Sequence, residues 1–172
     1  MEHENNLQLK WYAVNVRSRH EFQVFEGLKM KGVEAFLPTV DKMRKWKDRK
    51  KLVTFPLFPG YLFVHTTKDN NSLLRVLKVK GVVRMLCTLP GEPDAIPDEQ
   101  IISLQKLVEN REALDPYPYL NEGEKVRISS GPLSGIEGML VKKLDKHVLV
   151  LSVDVLQQGV ALTINASDVE KI

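Results

Sequence analysis

The sequence predicts an α+β protein of two domains: an N-terminal antiparallel sheet flanked by helices, a linker, and a small C-terminal five-stranded β-barrel. Three observations predict it. Up to about residue 113, apolar residues recur by turns at strand and at helical spacing, with glycines at the breaks. Residues 115–119 read Asp-Pro-Tyr-Pro-Tyr, where two prolines fix their own φ and remove two donors, so an extended linker is expected. From about residue 121 the period is two throughout, in short runs broken by turns, which suggests a small closed barrel. The expected boundaries are 1–113, 114–120 and 121–172.

Trp11, Ala13, Val14 and Val16 make the first strand. Ser18-Arg19-His20-Glu21 has the form of a capping box, in which Ser18 accepts from the Glu21 amide and the Glu21 carboxylate reaches back. Phe22, Val24, Phe25 and Leu28 follow at helical spacing, and Gly32 is a natural stop. Residues 33–40 read as a strand with Pro38 near its end. A charged stretch, 41–51, surrounds Trp46. Residues 52–56 and 60–65 read as further strands, joined through Phe55-Pro56-Leu57-Phe58-Pro59-Gly60-Tyr61, an apolar run broken by two prolines. Asn71 or Ser72 is expected to cap a short helix carrying Leu73, Leu74 and Leu77, which stops near Gly81. Residues 82–87 form the next strand. Pro97 suits a first helical turn, and Ile101, Leu104 and Leu107 mark an amphipathic helix. Beyond the linker, Val126 and Ile128 alternate with charges, Gly131 to Gly135 form a turn, and strands are expected at 136–142, 148–153, 160–164 and 169–172.

Hydrophobic residues make up 43% and charged residues 27%, a globular balance rather than a disordered one. Residues 1–113 carry 19 Lys and Arg against 14 Asp and Glu, a net of +5, whereas residues 114–172 carry 6 against 8, a net of −2. Any nucleic-acid contact is therefore expected to lie in the front part. The single cysteine, Cys87, excludes an intramolecular disulfide and a cysteine-based metal site. The histidines at 3, 20, 65 and 147 show no ligand spacing, and no phosphate loop or nucleophile elbow is present. Neither catalysis nor a metal or cofactor is expected. The polar N-terminus has no apolar signal core, and no apolar run approaches ~18 residues. A cytoplasmic monomer without membrane contact is expected.

Two patterns carry chemistry. In a strand, Tyr61 and Phe63 share one face and Leu62 and Val64 the other. One pair serves the core; the other, with Phe58, is either core as well or an aromatic patch for a protein partner. The second pattern is Lys42, Arg44, Lys45, Lys47, Arg49, Lys50 and Lys51 against the single acid Asp48, with Trp46 among them. Such density attracts phosphates, and the indole can stack on an unpaired base. The alternative is a solvated hairpin tip whose charges discourage edge pairing. Arg17, Arg19, His20, Lys29 and Lys31 lie about the first helix, and Lys80 precedes Gly81.

Trp11-Tyr12-Ala13-Val14 is followed about 45 residues later by Pro56-Leu57-Phe58-Pro59-Gly60-Tyr61-Leu62-Phe63-Val64. Gly123-Glu124-Lys125-Val126-Arg127-Ile128, Gly131-Pro132-Leu133-Ser134-Gly135 and Gly138-Met139-Leu140-Val141 come later. In this order they resemble the N-terminal domain of the NusG family of transcription elongation factors and the KOW motif, an SH3-like barrel, that follows it. The resemblance implies a factor that grips the clamp helices of the RNA polymerase largest subunit through Asn15, Phe58, Tyr61 and Phe63, and so suppresses pausing. It implies nucleic-acid contact, including non-template DNA as in RfaH-type relatives, through Arg17, Arg19, His20, Lys31 and Lys80, beside the hairpin residues Lys45, Trp46, Lys47 and Arg49. Gly27 and Met30 on that face cannot donate to bases. The KOW domain is implied to recruit a ribosomal protein or Rho, with Leu133 and Ile136 where housekeeping members carry aromatic residues. The Lys45–Lys51 stretch and the altered barrel turn resemble specialised antiterminators of surface-polysaccharide operons. A housekeeping factor and a ribosome- or RNA-binding KOW protein are the alternatives. The alternation of Val and Ile in 121–172 favours a permanent barrel over a helical state.

Overall fold

The computed structural model describes residues 7–110, 114–118, 123–143 and 146–172. They form two compact units that divide between Asp98 and Glu99.

The first unit is an antiparallel sheet in the order β2-β5-β1-β6, with β7 also pairing with β1. Its strands are β1 (Lys10–Val16), β2 (Glu34–Phe36), β5 (Tyr61–Thr66), β6 (Val82–Met85) and β7 (Ala95–Ile96). Two helices, α1 (Glu21–Met30) and α2 (Asn70–Leu77), connect them. The core joins Tyr12, Val14 and Val16 of β1, Leu62 and Val64 of β5, Val24 and Leu28 of α1, and Val76 of α2. Alternation puts those strand residues on one sheet face, and burying each contributes roughly 1.5–3 kcal/mol.

A two-stranded hairpin, β3 (Thr39–Lys45) and β4 (Lys50–Pro56), forms its own small sheet. The single strand expected at 33–40 is thus two strands. β2 ends at Phe36 and β3 begins after Pro38, because proline has no N–H for a ladder.

Local expectations at both helices are corrected. The helix at Glu21 starts without the Ser18 capping box: its N-cap is His20, with no side-chain bond. Arg19 takes a left-handed φ of 64°, which turns the chain away from that geometry. The Glu21 side chain is buried, and its rotation turns Phe22 outward, 46% exposed. The cap of α2 is Asp69, whose carboxylate accepts from the Ser72 amide at 3.0 Å. With that earlier start Val76 is the buried residue, and Leu74 and Leu77 are exposed.

Helix α3 (Asp98–Glu109) buries Ile101, Leu104 and Leu107 as the spacing requires. In the second unit, β9 (Glu124–Ile128), β10 (Glu137–Lys143), β11 (Lys146–Val153), β12 (Gln158–Ile164) and β13 (Val169–Lys171) are the five expected strands. They pair antiparallel in the order β13-β9-β10-β11-β12. A sixth, β8 (Leu114–Pro118), adds to β12, with Leu114 opposite Leu162 and Pro118 opposite Gln158. The segment expected as a linker is therefore a strand where it is described. It lies at the sheet edge, where proline's missing donors break no ladder. Residues 119–122, including the expected domain start at Asn121, lie outside the described residues.

Candidate functional site

The Phe58-Pro59-Gly60-Tyr61 turn closes with a bond from the Tyr61 amide to the Phe58 carbonyl, 3.0 Å. Pro59 supplies a fixed φ, and Gly60 has φ +84°, the pairing a type II turn requires. Three further bonds hold it. The Gly60 carbonyl accepts from the Val16 amide at 2.8 Å and from Asn15 Nδ2 at 3.0 Å. The Gly60 amide donates to Glu21 Oε1 at 2.8 Å. Asn15 is thus engaged in holding the turn. Glu21, which the sequence suggested for a helix cap, is spent on it instead.

Strand register orders the sheet face opposite α1 into rows. Asn15 stands between Tyr61 and Arg84, Ala13 beside Phe63, and Trp11 beside His65. Phe63 and Phe58 are 0% and 1% exposed and meet edge to face with centroids 6.1 Å apart. Phe36 stacks on Phe63 from β2. These two predicted contact residues are therefore the wall of the face rather than its outer surface. Asn15 and Tyr61 are half-buried, and Arg84 is exposed at the end of their row. Trp11 stacks on His65 at 4.7 Å, and His65 Nδ1 lies 2.7 Å from Glu34 Oε2. Arg84 was not singled out from sequence. Alternation in its strand marks it as outward-facing, but only the register sets it beside Asn15.

The basic stretch is the hairpin tip. The Trp46 amide donates to the Arg49 carbonyl at 2.8 Å, and the Arg49 amide returns the bond at 3.3 Å. Arg44, Lys45, Trp46, Lys47, Asp48 and Arg49 line an open cavity of about 780 Å³. Trp46 is 58% exposed. The Arg44 guanidinium sits 5.0 Å over the Phe55 ring, which uses that cation structurally and leaves Lys45, Lys47 and Arg49 about the indole.

Arg17, Arg19 and Lys80 are exposed and His20 is half-buried. The Arg17 amide donates to the Gly81 carbonyl at 2.8 Å, so the start of α1 is tied to the loop that carries Lys80. Lys31 follows the last turn of α1, at its other end. In the barrel, Leu133 and Ile136 are 7% and 1% exposed. The turn that carries them is closed by bonds between Ile128 and residues Gly135 and Ile136. Both side chains are buried, and Leu133 lines an open pocket with Pro132 and Leu162. Among the described residues no group of three or more metal-ligating side chains occurs, and no helix is long and apolar enough to cross a membrane.

Comparison with known proteins places this arrangement. The family model described as transcription termination factor NusG matches residues 9–105. The chain is 29% identical over 177 residues to the transcription termination/antitermination protein NusG of Vibrio vulnificus, covering 95% of this chain and 96% of that one. It is 28% identical to the protein of that name from Campylobacter jejuni, covering 95% and 97%. Among solved structures, NusG of Thermotoga maritima aligns with a TM-score of 0.59 at 23% identity, over 97% of this chain and 99% of that one, a likeness of fold. The matched region contains the whole first sheet, both its helices and the Phe58–Tyr61 turn, and the chain belongs to the NusG family of transcription factors.

Proposed function

We propose that this chain is a transcription elongation and antitermination factor that grips RNA polymerase through its N-terminal unit. The observation that carries the reading is the pinned Phe58–Tyr61 turn beside the Arg84–Asn15–Tyr61 row, inside the region the family model matches. Four hydrogen bonds fix the turn before any partner arrives, so little ordering entropy remains to be lost on binding. Asn15, Tyr61 and Arg84 supply polar and aromatic contacts, and buried Phe58 and Phe63 set the shape beneath them. The clamp helices of the largest subunit are the proposed partner. A factor that binds the closed clamp more tightly than the open one shifts the population away from paused states.

The hairpin tip, with Lys45, Trp46, Lys47 and Arg49, contacts nucleic acid emerging from the same complex: cations for phosphates and an exposed indole for a base. The barrel recruits a second partner, a ribosomal protein or Rho, through surface around the 129–135 turn. Leu133 and Ile136 support that surface from within. The density of the basic tip favours a specialised operon-specific paralogue over a housekeeping factor.

The test is capture of RNA polymerase by wild type and by Tyr61→Ala, with folding followed by circular dichroism. Tyr61 is the residue to change because it is half-buried, whereas truncating Phe63 empties the core. Loss of capture by the folded variant is expected. Wild-type protein that folds and captures no polymerase would overturn the reading.

A further inference from the structure

The second unit holds a cleft that no part of the proposed function uses. Its volume is about 470 Å³, within the range of cavities that take a ligand. All of its lining residues belong to that unit. One side is the start of α3, with Glu99, Gln100 and Ser103. The other is the barrel sheet. Register sets Lys125, Met139 and Val150 in one row across β9, β10 and β11, and Asp154 follows the end of β11.

One atom of this cleft is orphaned. Gln100 Nε2 donates to Asp154 Oδ2 at 3.0 Å. Gln100 Oε1 is buried and has no hydrogen-bond partner among the described residues. Exchanging the oxygen and nitrogen of the amide gives no relief, because it sets two acceptors, Oε1 and the Asp154 carboxylate, against each other. A buried acceptor left unpaired costs stability, and a donor that enters the cleft removes that cost.

The charges specify the donor. Among the described residues Glu99, Glu137 and Asp154 line the cleft against one cation, Lys125. Glu137 is already engaged, accepting from Arg127 Nε at 2.9 Å. Lys125 lies on β9, two strands away from β11 and the end that carries Asp154. The corner formed by Glu99, Gln100 and Asp154 is therefore rich in acceptors and negative. A guanidinium presents five donors in one plane and can meet an amide oxygen and a carboxylate together, whereas an ammonium is a compact, strongly hydrated charge. Met139 and Val150 line the same cleft and offer an apolar wall to the methylene stem of an arginine.

We infer that this cleft is a docking site for an arginine of a basic peptide segment in a protein partner, and that Gln100 and Asp154 are the residues that read its guanidinium. The cleft leaves room beside one side chain for the neighbouring residues of a peptide. It shares only Gly135 with the 129–135 turn proposed as the barrel's partner surface, so the inference adds a second docking surface to that unit.

The test is fluorescence anisotropy with the full chain and a labelled pentapeptide that carries two arginines among glycines. The same peptide with lysines, and free arginine as competitor, are the comparison ligands. Wild type is expected to bind the arginine peptide more tightly than the lysine peptide, with free arginine displacing it only in large excess. Gln100→Leu is expected to weaken binding by roughly 10-fold or more, the effect of one hydrogen bond to a charged group. It is also expected to unfold at no lower urea concentration than wild type, because it deletes a buried orphan and Asp154 is exposed to water. The double variant Glu99→Gln, Asp154→Asn changes two exposed residues and is expected to fold and to lose binding as well. The charge-matched control Glu26→Gln, Glu92→Gln, in the first unit, is expected to bind as wild type does. No binding by wild type, equal binding of the two peptides, displacement by an equal concentration of free arginine, or an equal loss in the control overturns the inference. So does unchanged binding by the folded double variant, or a marked loss of stability in Gln100→Leu, which would make the amide a structural bond. Tyr61→Ala is expected to lose polymerase and keep the peptide, so failure of the cleft and failure of the polymerase reading are distinguishable.

Discussion

The two reversals of chain in the first unit, at 58–61 and at 46–49, are built in opposite ways. The first is tied down by bonds from Val16, Asn15 and Glu21, and its flanking Phe58 and Phe63 are buried. The second is closed only by its own two backbone bonds, and every residue from Asp41 to Leu52 is exposed. Its apolar residues, Met43 and Leu52, stand opposite each other and are about as exposed as Trp46. A two-stranded hairpin in water gains little from packing. Dense aromatic packing makes the first reversal rigid and suited to a shaped protein partner. High charge and exposure make the second adaptable and suited to a flexible polyanion. One domain thus carries a preformed surface and a compliant one.

The contrast predicts unequal responses to truncation. Phe63→Ala is expected to cost about 3–5 kcal/mol in urea unfolding, whereas Leu52→Ala in the hairpin stays within about 0.5 kcal/mol. Equal losses at the two sites would break the comparison. Glu21→Ala is expected to cost about 1–3 kcal/mol, because the Gly60 amide loses its acceptor. Glu21→Gln keeps a carbonyl oxygen there and is expected to recover most of that loss, with slowed exchange of the Gly60 amide as the local readout. Trp46→Ala should leave stability within about 0.5 kcal/mol and weaken single-strand binding by about 1–3 kcal/mol, the range for one stacked base. A folded Trp46→Ala protein that binds single strands as the wild type does would remove the indole from the proposed nucleic-acid surface.

The cap of α2 lies between these extremes. Hydrogen bonds from the Thr67 hydroxyl, the Ser72 side chain and the Ser72 amide hold the Asp69 carboxyl well below the ordinary carboxylate range. A depressed folded pKa contributes stability above the unfolded value of about 3.9 and loses it as pH falls through the folded one. Asp69→Ala is therefore expected to be less stable than wild type at neutral pH, with a gap that narrows below about pH 4. A gap that stays constant over that range would show that the cap acts without its charge.

Much of this architecture was legible from residue types. The strands at Trp11 and Tyr61, the buried triplet Ile101, Leu104 and Leu107, and the barrel strands follow from period and turn residues. Helix phase was less legible. Ser18 and Glu21 have the spacing of a capping box, but Arg19 in the left-handed region and the pull of the Gly60 amide commit Glu21 elsewhere. Asn71 and Ser72 are good caps by type, and Asp69 displaces them because Thr67 and Ser72 both donate to it. The two prolines at 116 and 118 argue for a linker only as long as no edge strand needs a neighbour, and β12 has one in β8.

By itself the sequence determined the two-part composition, the basic front, the Pro-Gly turn and the tip that carries Trp46. These depend on local dihedral preference and on charge counted along the chain. Only the tertiary structure decided which aromatic residues are wall and which are surface, why Glu21 is buried, and that Gln100 meets Asp154. Those outcomes depend on strand register and on contacts between segments far apart in sequence, and a one-residue change of register exchanges the faces of a strand.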